Sequence, residues 1–237
     1  MTTPEASRPP GYAGIGAGRR AFDGVLAALG LLLLSPLMVA IAVAILIEDG
    51  RPVCYSQVRL GEGGRHFRLH KFRKFRRAGV LNARAVTLDQ DERLTSVGRL
   101  LARTKLDELP QLWNILSGEM SIVGPRPESL AFADCFDGQF RKVLHFRPGI
   151  FGPNQIFFRN EGRLFQEGGD PEAFYRQVLF PLKARADLAY FPHRTPEGDL
   201  AWIIRGVSAV LGLRLFPGRH PDPINEAENW IRRNAAA

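Results

Sequence analysis

The chain has 237 residues, with 32 Lys and Arg against 24 Asp and Glu, a net charge of +8 and a sequence pI near 10.1. That balance favours polyanionic partners, whether nucleic acid, anionic lipid or phosphorylated substrates, and the length allows one large domain, or one with appendages, around a real core. Cys54 and Cys135 are too few and too isolated for a disulfide scaffold, which makes a reducing compartment the default, and the five scattered histidines form no HExxH-like cluster, which excludes a zinc site.

Residues 1–18 are rich in Pro, Gly, Ala and Ser with little to bury, which predicts a disordered tail. Residues 24–47 then run for 24 positions without a charge. At about 1.5 Å per residue such a helix could cross a hydrocarbon core of roughly 30 Å. Ser35 and Pro36 interrupt it near the middle. Pro36 cannot donate to the carbonyl of Leu32 and its ring crowds that carbonyl, while the Ser35 hydroxyl can satisfy a freed backbone group, so a helix-break-helix is expected. Both flanks are basic: Arg19 and Arg20 before, and nine Lys or Arg against Glu62 alone over residues 51–77. The positive-inside rule keeps both flanks in the cytoplasm, which a re-entrant membrane hairpin over 19–48 satisfies and a straight span does not. A kinked single span ranks below it, and a signal peptide cleaved near Ala40-Ile41-Ala42 last, because the apolar stretch exceeds a usual h-region.

Residues 52–72 read as a β-hairpin, two strand-like runs around Gly61-Glu62-Gly63-Gly64. The basic residues that follow, from Lys71 to Arg77, read mainly as a surface resting on anionic headgroups, each charge contributing about 1 kcal/mol near the membrane, with Phe75 inserted in the interface. Lys71 and Arg73 are also placed in an anion site. Residues 78–92 lack periodicity and predict a mobile loop, and a helix over about 94–103 leads into the most informative stretch, LDELPQLWNILSGEMSIVGPRP, residues 106–127. Leu109, Leu112, Trp113 and Leu116 recur at helical spacing, Pro110 suits a first turn and Gly118 a C-terminal stop. Asp107 and Glu108 are therefore expected at a helix N-terminus, where unpaired N–H groups stabilise anions. Ordinary capping is the bland account of such a pair. Against it stands Arg126, clamped between Pro125 and Pro127, which loses little entropy when it grips an oxyanion.

A helical stretch is expected from Arg126 to about residue 143, then a tight irregular connection over 147–160 from which Arg147, Gln155, Arg159 and Asn160 could reach a ligand. Residues 172–190 can form an amphipathic helix, and 200–216 is apolar but carries Arg205 and Arg214, as an interfacial helix would. The fold class is α+β and helix-rich: a disordered tail (1–18), a re-entrant membrane hairpin (19–48), a catalytic domain (49–199) holding the β-hairpin, and an interfacial helix with a C-terminal tail (200–237).

On these residues the chain resembles the monotopic polyprenyl-phosphate phosphoglycosyltransferases, a family of bacterial sugar transferases. The matches occur in order: Arg20-Ala21-Phe22-Asp23, Ser35-Pro36, Gln57-Val58-Arg59-Leu60-Gly61, Lys71-Phe72-Arg73, Leu94-Thr95-Ser96-Val97-Gly98, the DELPQLWN to VGPRP block, and Arg147-Pro148-Gly149-Ile150. They cover about residues 19–160. The resemblance implies transfer of a sugar-1-phosphate from a nucleotide-diphosphate sugar, usually a UDP-sugar, to undecaprenyl phosphate, opening the synthesis of a surface polysaccharide or glycoconjugate. It implies Asp107 as the nucleophile on the β-phosphorus, a covalent phosphosugar-aspartyl intermediate, and Glu108 as a metal partner or orienting group. Magnesium is the expected ion, held at Asp107 and Glu108, because phosphate oxygens and carboxylates suit it and no soft ligands are offered. The implied setting is the bacterial inner membrane, with the catalytic domain facing the cytoplasm, membrane lipids as partners and no nucleic acid. The oligomeric state, homodimer included, is left open.

The chain departs from the family's pattern in places. Asp49-Gly50-Arg51-Pro52 stands for Ser-Pro-Gly-Pro, Lys74-Phe75 for Ser-Met, and Asp91-Glu92-Arg93 for Asp-Pro-Arg. Ala102 stands where an arginine is common, which leaves the adjacent Arg103 as the candidate phosphate contact. Nucleotide and sugar preference therefore do not transfer. A reading from another class is a membrane-anchored basic binding module without catalysis, acting through residues 65–77, but it explains neither Asp107-Glu108 nor the clamped Arg126.

Overall fold

The computed structural model describes residues 16–77, 91–165, 170–213 and 225. The expected N-terminal tail, the loop over 78–92 and the tail after 213 fall mostly outside them. Among the described residues the chain forms α1 (Ala17–Asp49), a hairpin of β1 (Cys54–Leu60) and β2 (His66–Phe72), α2 (Ser96–Thr104), α3 (Gln111–Ser117), β3 (Ser121–Val123), β4 (Gly149–Phe151), α4 (Pro153–Phe157), α5 (Pro171–Phe174), α6 (Phe180–Tyr190) and α7 (Pro196–Val210). The architecture is helix-rich α+β with two small sheets: β1 and β2 pair antiparallel from Cys54 opposite Phe72 to Leu60 opposite His66, and β3 pairs parallel with β4.

Helix α1 is the one helix among the described residues long and apolar enough to cross a membrane, with a mean hydropathy of 2.7 over its most apolar window. It is helical from end to end, with Pro36 inside it and the Ser35 hydroxyl donating to the Leu32 carbonyl at 2.7 Å. Serine thus satisfies one acceptor of the turn that proline disturbs. Both ends of α1 are fastened to the same folded body. At the N-terminal end, Arg20 donates to the Ile115 and Leu116 carbonyls at the end of α3, both at 2.6 Å. Asp23, buried, accepts from Ser121 Oγ at 2.6 Å and Ile122 N at 3.2 Å. At the C-terminal end, Glu48 accepts from Ser96 N and Val97 N at the start of α2, and Asp49 pairs with Arg73. Between them the apolar middle faces outward: Leu32 is 70% exposed and Leu33 73%.

The central core joins α1 to the rest, with Ala27 among Phe67, Leu69, Leu112, Ile115, Met120, Ile122, Phe146 and Trp202. A second cluster around Phe132, Phe158, Leu179 and Phe180 underlies the C-terminal half, and a third sets Ile41 and Ile45 of α1 against Phe72 and Leu101. Asp199 ties the periphery together: it pairs with Arg19 of α1, with Arg194 at 3.0 Å, and accepts from Tyr190 Oη at 2.8 Å. Helix α7, capped by Thr195, buries Trp202 and Gly206 and exposes Leu200, Ile204, Val207 and Leu211, one apolar stripe at helical spacing. Of residues 200–216, expected to form an interfacial helix, 200–213 are described and present this exposed apolar stripe.

The helix-break-helix expected at Ser35 and Pro36 is not formed, since α1 stays helical through both, and three further local expectations change. The stretch from Arg126 to residue 143 is not an α-helix but extended chain followed by two 3₁₀ segments, Leu130–Cys135 and Gly138–His145, with Asp137 capping the second and Gly138 in positive φ between them. The helical run before Tyr190 contains a π segment, Tyr175–Leu179, immediately ahead of Phe180-Pro181. Proline supplies no N–H and crowds the carbonyl four residues back, which a wider turn relieves. Lastly, Asp107 and Glu108 lie on a single 3₁₀ turn, Leu106–Glu108, ahead of α3 rather than in its first turn. Pro110 takes the position before the first residue of α3, so the carboxylates stand outside the helix and their charge is governed by side chains.

Candidate active site

The dyad turn is reached through an unusual residue. Lys105 closes α2 and opens the turn with φ 64°, the only non-glycine residue in positive φ among the described residues. A left-handed lysine costs roughly 1–2 kcal/mol of backbone strain. The turn it creates carries both carboxylates inward; Asp107 is 2% exposed and Glu108 is buried with it.

The two carboxylates have different surroundings. Glu108 Oε1 accepts from Lys71 Nζ at 2.8 Å and Arg126 Nη2 at 3.0 Å. Burial works against its ionisation, but the charges of Arg126, Lys71 and Lys105 overcome that and hold its carboxyl well below the usual range. Arg126 is held above its ordinary value, chiefly by Glu108. Burial pushes Lys71 down to about 8 against the pull of Glu108. Asp107, by contrast, has no hydrogen-bond partner at Oδ1, and its nearest cation is Lys74 Nζ, 3.7 Å from Oδ2. A buried carboxylate oxygen without a donor is uncommon in folded proteins; Glu161 Oε2 and Asp187 Oδ1 share that state, but at Asp107 neither oxygen accepts a hydrogen bond among the described residues.

The neighbouring backbone explains how these groups meet. Lys71 ends β2 and reaches the turn from the hairpin, while the segment after the strand lies flat on α2. A Cβ on Gly98 would come within 1.9 Å of the Lys74 carbonyl, so only glycine admits that approach, and Lys74 is carried over Asp107. Arg126 sits on extended chain where Gly149 N donates to the Pro125 carbonyl at 2.9 Å, and a Cβ on Gly124 would lie 2.2 Å from the Arg147 carbonyl. The two prolines and this close backbone contact fix the direction of the guanidinium.

Of the residues singled out in the sequence, Asp107, Glu108, Lys71 and Arg126 come together. Arg159 joins them at the margin: it donates to the Arg103 and Thr104 carbonyls at 3.3 Å, burial lowers its pKa, and both dyad carboxylates pull the other way. Arg73 points elsewhere. β2 ends at Phe72, so strand alternation stops there, and the Arg73 guanidinium binds the Asp49 carboxylate and the carbonyls of Pro52, Asp49 and Gly50 at the end of α1. Arg103 is exposed on α2, and Arg147 pairs with Glu62 at the hairpin turn at 3.0 Å. Gln155 donates to the Gly124 and Gly149 carbonyls, bracing β3 and β4. Lys74 and Lys105 are the site residues that sequence reasoning missed: the first was assigned to headgroups with the rest of the basic run, the second had no motif. Lysine at a turn position that would suit glycine was the one signal available.

Behind Arg126 lies a second charged cluster. Tyr175 Oη donates to Glu128 Oε1 at 2.6 Å and accepts from Lys183 Nζ at 3.1 Å, and Lys183 pairs with Glu161 at 2.5 Å. Burial and Glu128 raise the Tyr175 phenol well above its usual range, and Lys183 and Arg126 keep Glu161 low despite its burial.

Comparison with known proteins agrees with this geometry. A family described as "Bacterial sugar transferase" matches residues 16–212. The exopolysaccharide production protein ExoY of Rhizobium meliloti (strain 1021) is 39% identical over 220 residues, 86% of this chain and 88% of that protein. The UDP-glucose:undecaprenyl-phosphate glucose-1-phosphate transferase of Escherichia coli (strain K12) is 42% identical over 147 residues, 58% of this chain and 30% of its own length. The UDP-N-acetylgalactosamine-undecaprenyl-phosphate N-acetylgalactosaminephosphotransferase of Aeromonas hydrophila is 41% identical over 141 residues, 58% of this chain and 33% of its own. The matched part is thus about a third of the latter two and most of ExoY. With a family match that spans α1, the dyad turn and α7 together, the chain belongs to the bacterial sugar transferase family.

Proposed function

We propose that this protein transfers a sugar-1-phosphate from a nucleotide-diphosphate sugar to undecaprenyl phosphate through a covalent intermediate on Asp107, the first step of a surface glycan. The observation that carries the reading is the asymmetry of the dyad. Glu108 is neutralised by Lys71 and Arg126, while Asp107 is buried with an oxygen that accepts no hydrogen bond. A nucleophile must keep a lone pair free, and an orienting carboxylate must not. An Asp107 oxygen attacks the β-phosphorus of the donor, the bond from that phosphorus to the bridging oxygen breaks, and the nucleoside monophosphate leaves. A phosphate oxygen of the lipid then attacks the same phosphorus and the Asp107 carboxylate departs with its electron pair. Dividing one displacement between two anions into two steps, each beside fixed cations, is covalent catalysis with electrostatic support.

A divalent ion fits this site in a limited way. The described residues hold no group of three acidic, His or Cys ligands, but the unpartnered Asp107 Oδ1 is a hard oxygen, and magnesium is commonly held by one or two carboxylates with substrate phosphates supplying the rest. Asp107 would hold it, and the ion would neutralise phosphoryl charge when bound. Glu108 Oε1 is already engaged by two cations.

The re-entrant placement of α1 is supported by its two fastened ends. Arg20 and Asp23 at one end and Glu48 and Asp49 at the other bind the same body, which favours both ends on one face of a membrane, and the basic flanks favour the cytoplasmic face. The exposed Leu32 and Leu33 would then lie deepest, and the apolar stripe of α7 would rest on the interface. Single cysteines at Ala17 and Arg51, in a background with both Cys54→Ser and Cys135→Ser, should label from the same side; labelling from opposite sides would overturn the topology.

The activity is tested with purified protein, Mg²⁺, undecaprenyl phosphate and a panel of UDP-sugars. Release of UMP with at least one donor is expected, and Asp107→Asn should abolish it while membrane association is kept. Undiminished turnover in that variant would overturn the mechanism, and silence of the parent across the panel would overturn the function.

A further inference from the structure

Lys71 and Arg126, the cations most readily assigned to substrate phosphate, both bind Glu108 Oε1. Two other ammonium groups stand beside the dyad. Lys74 is 3.7 Å from Asp107 Oδ2. The Lys105 side chain makes no hydrogen bond and no ion pair within 4.0 Å among the described residues, and of the dyad carboxylates Glu108 acts on it first and Asp107 second. Its backbone sharpens the point. At φ 64° glycine would serve without strain, so the position bears a side chain in spite of its geometry. A lysine kept there, two residues before an aspartate with a bare oxygen, calls for an anion between them.

We propose that Lys105 and Lys74 bind the phosphoryl group that Asp107 attacks, as a pair distinct from the Lys71 and Arg126 pair that holds Glu108. The proposal rests on the transfer reaction above and assigns the donor-phosphate contacts within it. Each ammonium offers up to three donors to equatorial phosphoryl oxygens, and neither must first be released from a tight ion pair. The site would thus divide its cations, two fixing the carboxylate that stays and two receiving the phosphate that moves.

The test is binding of inorganic pyrophosphate to the full-length protein in nanodiscs, measured by calorimetry with Mg²⁺ at several salt concentrations. Lys105→Gly removes the ammonium and relieves the backbone, so its melting temperature should stay level or rise while pyrophosphate affinity falls on the order of tenfold or more and its salt dependence becomes shallower. Lys74→Gln should weaken binding to a similar degree, Lys105→Arg should keep most of it, and Asp107→Asn should bind at least as tightly as the parent. Parent-like affinity in both Lys105→Gly and Lys74→Gln, or a parent that binds no pyrophosphate, would overturn the proposal. The same preparations assayed for UMP release separate the two claims: turnover in the parent with lysine-independent binding removes this assignment alone, whereas lysine-dependent binding without turnover on any donor removes the transfer reaction.

Discussion

Two buried charge clusters lie side by side in this molecule, and they are built on opposite principles. In the deeper one, Glu128, Tyr175, Lys183 and Glu161 form a chain in which each member is joined to the next, at distances from 2.5 to 3.1 Å. In the other, around Asp107 and Glu108, the Glu108 half is closed in the same manner, but Asp107 Oδ1 has no donor and Lys105 no acceptor. A closed network rigidifies its surroundings, because every buried polar group has exchanged water for a partner. An incomplete one is tolerated only where a ligand finishes it. The closed cluster also faces the open one: Glu161 and Glu128 both act on Arg126, whose guanidinium completes Glu108. The C-terminal half, which carries Tyr175 and Lys183, thereby buttresses the catalytic turn without entering it.

The largest effect that would sharpen this contrast is on stability in the closed cluster. Lys183→Met removes a buried ammonium and leaves the half-buried Glu161 without its partner, and should cost about 3 kcal/mol in chemical denaturation. A loss below about 1 kcal/mol would mean that the cluster is not load-sharing in the way its geometry suggests. Tyr175→Phe removes one hydroxyl that both donates and accepts, and should cost roughly 1–3 kcal/mol. Equal losses for the two variants would erase the distinction between breaking an ion pair and deleting a neutral link.

The smallest effect lies in the pH dependence of the open cluster. Burial pushes Lys71 down to about 8, with Glu108 and Asp107 pulling up and Arg126 and Lys74 pushing down. Transfer activity should therefore decline as pH rises through about 8, and Lys71→Arg should move that limb upward. Stability should respond with the opposite sign. An unfolded lysine titrates near 10.4, so between about 8 and 10.4 the unfolded chain holds a proton that the folded chain has released, and this group's contribution to stability rises over that window. Activity and stability falling together above pH 8 would place the titration elsewhere.

Much of the site was legible because its parts are local. Asp107 and Glu108 lie just before Pro110 and two prolines frame Arg126, whereas the apolar face read on α3 held only in part: Leu112 is buried with Ile115, but Trp113 and Leu116 are exposed. The hairpin, the cap at Thr95, the stop at Gly118 and the apolar stripe of α7 follow equally from short-range rules. Arg73 and Lys74 show where such rules end. Strand alternation continued past Phe72 would have aimed Arg73 with Lys71, but the strand stops there, Asp49 takes the guanidinium, and Lys74 turns inward because Gly98 lets its backbone lie on α2.

The sequence by itself determined the long apolar helix with its basic flanks, the helix-rich α+β class and the family, since each depends on composition, periodicity or neighbours in the chain. Tertiary structure alone decided which cation meets which carboxylate. Lys71 and Lys74, Lys105, and Arg126 come from three separate segments, and a pairing at 2.8 Å or 3.7 Å is set by how those segments stack, not by their spacing along the chain. It also decided that both ends of α1 return to one body, because Arg20, Asp23, Glu48 and Asp49 find their partners 24 to 99 residues away. Coulomb interactions fall within a few ångströms from decisive to negligible in a screened medium, so the chemistry of the dyad is a property of the packed molecule.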